Sequence, residues 1–235
     1  MKIRSFTLIL FFFSILSFVN AQDDFQLGVD FFPNYSWHTN PAIASSDYNG
    51  RISQSLGLYV EKGLTQRLSI QTGFNYANMG TTYEFPNDLR WGSQHDGNGG
   101  FDPKLESGES IGDVKTVNTL HFIEIPLKIR YVVVDKSYKL YFSQALLGRF
   151  FIDEYQKTTI DGETDKEKLD TQIESPSTAW QSGVGCSFPL SGNMKMFLEP
   201  RFQLNAFSPV AANDNPIKVR FGSIGLAMGI SFMSL

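Results

Sequence analysis

Between Val219 and Phe232, large apolar residues occupy every second position. Ile224, Leu226, Met228, Ile230 and Phe232 point one way, and Ser223, Gly225, Ala227, Gly229 and Ser231 point the other. A period of two is the signature of a strand with two different faces. The same alternation recurs over 25–37, 52–61, 68–77, 118–133, 140–152, 180–188 and 195–205, predicting eight strands in all. Most of these spans reach the roughly 9 to 11 residues that a tilted strand needs to cross a hydrocarbon layer.

Side-chain size tells which face is inside. Gly28, Gly57, Gly73, Ala145, Gly183 and Gly185 share one face with the charged residues, whereas Leu27, Leu58, Phe74, Leu146 and Val184 share the other. A small barrel crowds its interior and leaves room outside, so the bulky apolar face is the outer one. An apolar outside is stable only in lipid, and strands in lipid must close on themselves to satisfy their edges. A soluble ligand-carrying barrel would place its large apolar residues inward, the reverse of this pattern.

The connectors agree with a membrane barrel. Segments 62–67, 135–139 and 189–194 read as tight turns, and 38–51, 83–115, 154–177 and 206–216 as long polar loops. Short periplasmic turns alternating with long external loops are the plan of outer-membrane barrels. Tyr131, Phe188, Phe25 and Phe232 fall near the short-turn ends, and Tyr35, Trp37, Tyr76 and Trp180 near the long-loop ends. They form the two expected aromatic girdles.

Export is written at the start of the chain. Lys2 and Arg4 precede an apolar run over 6–19, and Val19-Asn20-Ala21 offers small residues at the −3 and −1 positions. This reads as a signal peptide over 1–21, with the barrel domain over 22–235. Without Lys2 and Arg4, the 20 basic residues become 18 against 24 acidic ones. That balance excludes a nucleic-acid binder, which needs a basic face. A single cysteine, Cys186, excludes a disulfide framework and a cysteine-rich metal site.

The segment His121-Phe122-Ile123-Glu124-Ile125-Pro126-Leu127-Lys128-Ile129-Arg130-Tyr131 resembles a strand of bacterial outer-membrane β-barrel domain proteins of the PorT-like group. The strands around Gly183-Val184-Gly185 and over 225–232 are similar to theirs as well. The resemblance covers the mature chain and implies an eight-stranded barrel in the outer membrane. Some members of that group take part in type IX protein secretion. The end of the chain departs from the usual terminal aromatic, because Met233, Ser234 and Leu235 follow Phe232.

Candidate chemistry is sparse. The inward face carries Asp30, Glu61, Glu124 and Glu199 with Lys128, Arg130, Arg149 and Arg201, four acids against four bases. Charges removed from water must be paired, so the expectation is a cross-linked lumen, with a narrow ion path as the alternative. A catalytic pair of Glu124 with Glu199 would need a fixed spacing. His121, on the lipid side near the external end, would act as a base for a lipid-modifying enzyme only with a serine such as Ser182 and a carboxylate beside it. Segment 96–102 superficially follows a calcium loop, but Phe101 and Ser107 stand where glycine and glutamate are required. The mixed charges over 161–168 read as a solvated loop. No catalytic residue, cofactor ligand or metal ligand is assigned. The expected contacts are outer-membrane lipid and, through the external loops or periplasmic rim, other envelope or secretion proteins.

Overall fold

The computed structural model describes residues 25–39, 48–85, 90–91, 109–110, 114–160, 162–169, 176–205 and 220–233. The elements are β1 (Phe25–Thr39), β2 (Tyr48–Gly63), β3 (Leu68–Phe85), β4 (Arg90–Trp91), β5 (Glu109–Ser110), β6 (Val114–Asp135), β7 (Lys139–Ile160), β8 (Glu163–Leu169), β9 (Ser177–Ser191), β10 (Met194–Asn205) and β11 (Arg220–Met233). Eight of them pair in the order β6-β3-β2-β1-β11-β10-β9-β7, all antiparallel, and β6 pairs with β7 to close the ring. Each of the eight alternating segments lies within one of these strands, apart from Val219, which is outside the described residues. β4 and β5 form a separate two-stranded ribbon.

Solvent exposure follows the alternation. Ile52 is 82% exposed and Leu58 65%, with Leu127, Ile129, Phe142, Leu146, Val184 and Ile224 also exposed. An outside so apolar has no place in water. Tyr35, Tyr76 and Trp180 ring the long-loop end, where Phe202 bridges Trp37 and Trp180 with ring centroids 6.2 and 6.4 Å away. Tyr131 and Phe232 lie at the opposite end.

Six aromatic rings break the small-inside pattern. Phe32, Tyr59, Phe122, Tyr141, Phe197 and Phe221 are buried in the lumen. Register explains how three of them fit. Tyr59 lies opposite Gly28, Tyr141 opposite Gly185 and Phe197 opposite Gly229. A Cβ on Gly185 would come within 2.3 Å of the Tyr141 ring. The inward glycines therefore serve as niches for the ring across the ladder.

Sequence expectations change at the external end. Segments 38–39, 48–51, 83–85 and 114–115, expected in loops, are paired strand, and 154–160 pairs with 163–169 as a hairpin. The charge run over 161–168 therefore contributes most of β8 and is not a loop. β7 reaches this height through a bulge. His121 pairs with Asp153 and Phe122 with Phe151, leaving Ile152 as the extra residue. Below the bulge the even residues of β7 face lipid; above it the odd residues, Asp153, Tyr155, Lys157 and Thr159, continue that outward face.

Candidate functional site

Lumen charges are the densest chemistry in the described residues. All eight inward acids and bases named from the sequence are buried. They sort into two clusters, one in each half of the barrel.

The periplasmic cluster centres on Glu199, which is 0% exposed. Its Oε1 accepts from Lys128 Nζ at 3.2 Å, Ser143 Oγ at 2.8 Å and Arg201 Nε at 2.9 Å. Its Oε2 accepts from the Tyr141 hydroxyl at 3.0 Å, with Arg130 4.0 Å away. Arg201 also donates two bonds to Asp30, at 2.9 and 2.5 Å, a bidentate pair. Arg130 donates to Glu61 at 2.7 Å and lies 4.2 Å over the Tyr141 ring. Three carboxylates and three cations thus cancel. Below them a cavity of about 310 Å³ opens toward the short turns, lined in part by Gln26, Glu61, Arg67, Arg130, Tyr141 and Lys195.

The external cluster centres on Arg149, 1% exposed. It donates from Nε to Glu124 at 2.7 Å, from Nη2 to Gln203 at 2.9 Å, and from Nη1 to Asn205. Gln203 in turn donates to Gln181 at 2.8 Å and accepts from Ser223 at 3.1 Å. Buried Met79, Leu120, Phe122 and Phe221, with Phe151 against them, form an apolar layer in this half. Glu124 and Glu199 therefore belong to different clusters, each neutralised by its own cations. They do not form the paired carboxylates of an acid-base site.

His121 and Ser182 are not neighbours either. His121 pairs in register with Asp153 and Ser182 with Gln144, positions nine residues apart on β7. At about 3.3 Å per residue they stand about 30 Å apart. His121 instead hydrogen-bonds the Tyr76 hydroxyl, with ring centroids 5.7 Å from both Tyr76 and Tyr155. Ser182 accepts from Gln144 at 2.8 Å. Segment 96–102, with His95, lies outside the described residues. Among the described residues no three His, Cys, Asp or Glu groups gather closely enough to hold a metal ion. Cys186 is half-buried with a free thiol.

Sequence comparison adds the family to this geometry. Residues 20–211 match the model of the outer membrane protein beta-barrel domain. The chain belongs to that family. It is an outer-membrane protein by family and by the closed eight-stranded barrel just described. No curated protein sequence matches it significantly. Among solved structures it is similar to Neisserial surface protein A at 10% identity, covering 89% of this chain and 97% of that one with a TM-score of 0.45. Ail of Yersinia pestis, at 10% identity, is covered completely by 89% of this chain, with a TM-score of 0.39. The outer membrane protease OmpT of Escherichia coli is 9% identical over 90% of this chain and 97% of its own, with a TM-score of 0.45.

Sequence reasoning expected paired lumen charges but assigned neither the individual pairs nor their neutral partners. Tyr141, Ser143, Gln181 and Gln203 lay on the polar face, but only register shows that the first two converge on Glu199. The single usable signal was parity.

Proposed function

We propose that this barrel is sealed and non-catalytic, a structural and interaction protein of the outer membrane that meets envelope or secretion partners at its rims. The observation that carries this reading is the lumen. Four acids and four bases neutralise one another within it, and the rings of Phe32, Tyr59, Phe122, Tyr141 and Phe197 fill space between them. A charge already held by a fixed partner does not provide a mobile site for a passing ion. Membership of the PorT-like group, and with it a place in protein export, rests on the 121–131 motif. Delivery through a signal peptide over 1–21 rests on its charged head, apolar run and small-residue exit.

Planar-bilayer recording of the purified barrel tests the sealed reading. The expected trace holds no discrete conductance steps. Reproducible steps that change amplitude in Glu124→Gln or Arg130→Gln would replace it with the narrow-channel reading.

A further inference from the structure

Beyond the aromatic girdle, the β3-β6-β7-β8 sheet separates its charges by face. In register, Lys157 stands opposite Lys166, Tyr155 opposite Lys168, and Lys115 opposite both Glu84 and Thr159. These side chains continue the row of His121 and Asp153, the outward face above the lipid. The other face of the same strands carries Glu154, Glu163, Asp165 and Glu167. Among the described residues, then, the outward face holds four lysines and two acids, and the inward face four acids with no base. A mixed charge run has become a two-signed sheet because β8 alternates sign with the strand period.

The outward lysines are arranged against their own repulsion. Lys157 and Lys166 are directly cross-strand, a like-charge placement that costs stability when nothing lies between them. Lys166 and Lys168 both lie over the Tyr155 ring, at 4.3 and 5.9 Å, and Lys168 reaches Asp153 at 3.6 Å. These contacts hold the ammonium groups close to the barrel wall. Their height is also informative. The Tyr155–Lys168 pair sits three residues above Ile152, the last exposed apolar residue on the lipid face of β7. On a tilted strand that is about 8 Å above the hydrocarbon, the level of the lipid headgroups.

We propose that this lysine face binds the phosphate groups of outer-leaflet lipid, clamping headgroups against Tyr155 and His121. Lysine is a compact, strongly hydrated donor suited to phosphate, and basic residues within reach of an anionic surface add attraction that salt screens. The lipid, rather than free phosphate, is the occupant because the same face runs without a break into the lipid-exposed wall through Ile152 and Phe150.

The test is native mass spectrometry of the folded barrel in neutral detergent, titrated with diphosphorylated lipid A and with its dephosphorylated form. Folding of every variant is checked by migration on an unheated gel. The wild type is expected to retain the phosphorylated lipid preferentially. Lys157→Gln/Lys166→Gln/Lys168→Gln is expected to lose at least about tenfold in affinity, given a fewfold contribution from each lysine. Glu163→Gln/Asp165→Asn/Glu167→Gln, on the opposite face, is expected to keep it. Equal binding of both lipid forms, or undiminished binding by the triple lysine variant, overturns the proposal. Complete displacement by inorganic phosphate at equal concentration overturns the assignment to lipid and leaves a free-anion site.

Discussion

Lysines occur in two very different settings in this molecule. Lys128, 2% exposed inside the barrel, lies 3.2 Å from a carboxylate that also holds Arg201. Lys157 and Lys166, on the external sheet, meet each other across the ladder. The two lumen clusters balance their charges one for one, whereas the outward face of the sheet leaves a surplus of cations. In a space walled off from water an uncompensated charge costs several kcal/mol, so the protein must supply its own counter-ion. At the membrane surface that cost is small, and an imbalance can persist for something outside the chain to neutralise.

Breaking the lumen balance gives the largest effect. Glu199→Leu removes the acceptor shared by Lys128, Arg201, Ser143 and Tyr141. It strands buried cations, and the expected loss is about 3–5 kcal/mol. The readout is the urea midpoint at which the fast-migrating unheated band disappears. A change below about 1 kcal/mol would mean that the lumen tolerates unpaired charge and would dissolve the contrast with the external sheet.

The external cluster sharpens the same point. Arg149→Leu leaves Glu124 without its 2.7 Å partner, and the expected cost is about 3 kcal/mol. Replacing both, as Glu124→Gln/Arg149→Met, removes the ion pair without stranding either charge. Most of the stability should return, because a buried pair is worth little net against neutral residues of similar size. If the double variant is as unstable as the single one, the cluster holds the barrel by more than charge balance.

Glycines offer a smaller and more local comparison. A Cβ on Gly185 would meet the Tyr141 ring at 2.3 Å, whereas one on Gly148 finds its nearest neighbour, the Ile125 carbonyl, at 3.8 Å. Gly185→Ala is expected to cost about 1–3 kcal/mol through overpacking, and Gly148→Ala less than about 0.5 kcal/mol. Parallel urea titrations of the two variants give the difference directly. Equal costs would show that the lumen ring can move aside.

What could be read from the sequence follows the same division. Lipid against lumen is a contrast of apolar with polar, so alternation placed Leu58, Phe142 and Ile224 outside and Glu199, Arg201 and Lys128 inside. Above the membrane both faces are polar, and that contrast vanishes. β8 alternates lysine with acid, a pattern of sign that hydropathy does not register, and it passed for a loop. The extra residue at Ile152 changes the parity of β7, so extrapolating from the spanning part would have sent Tyr155 and Lys157 to the wrong side. The pairing of Tyr59, Tyr141 and Phe197 with glycines depends on register between strands. A single strand's pattern does not contain it.

The smallest expected effect bears most directly on the external sheet. Lys157→Thr replaces one of two facing lysines with a residue favoured in strands. Removing a like-charge pair from a ladder should stabilise the β7–β8 hairpin by a few tenths of a kcal/mol at low ionic strength. The gain should shrink as salt rises, because exposed charges are screened over about 10 Å at 0.1 M. Hydrogen exchange of the amides over 154–169 reads it locally, where a global melt would miss it. With phosphate-bearing lipid present the sign should reverse, since wild-type Lys157 and Lys166 then share an anion that the variant holds with one lysine fewer. A gain that stays the same with and without that lipid would mean that the two lysines do no more than repel each other.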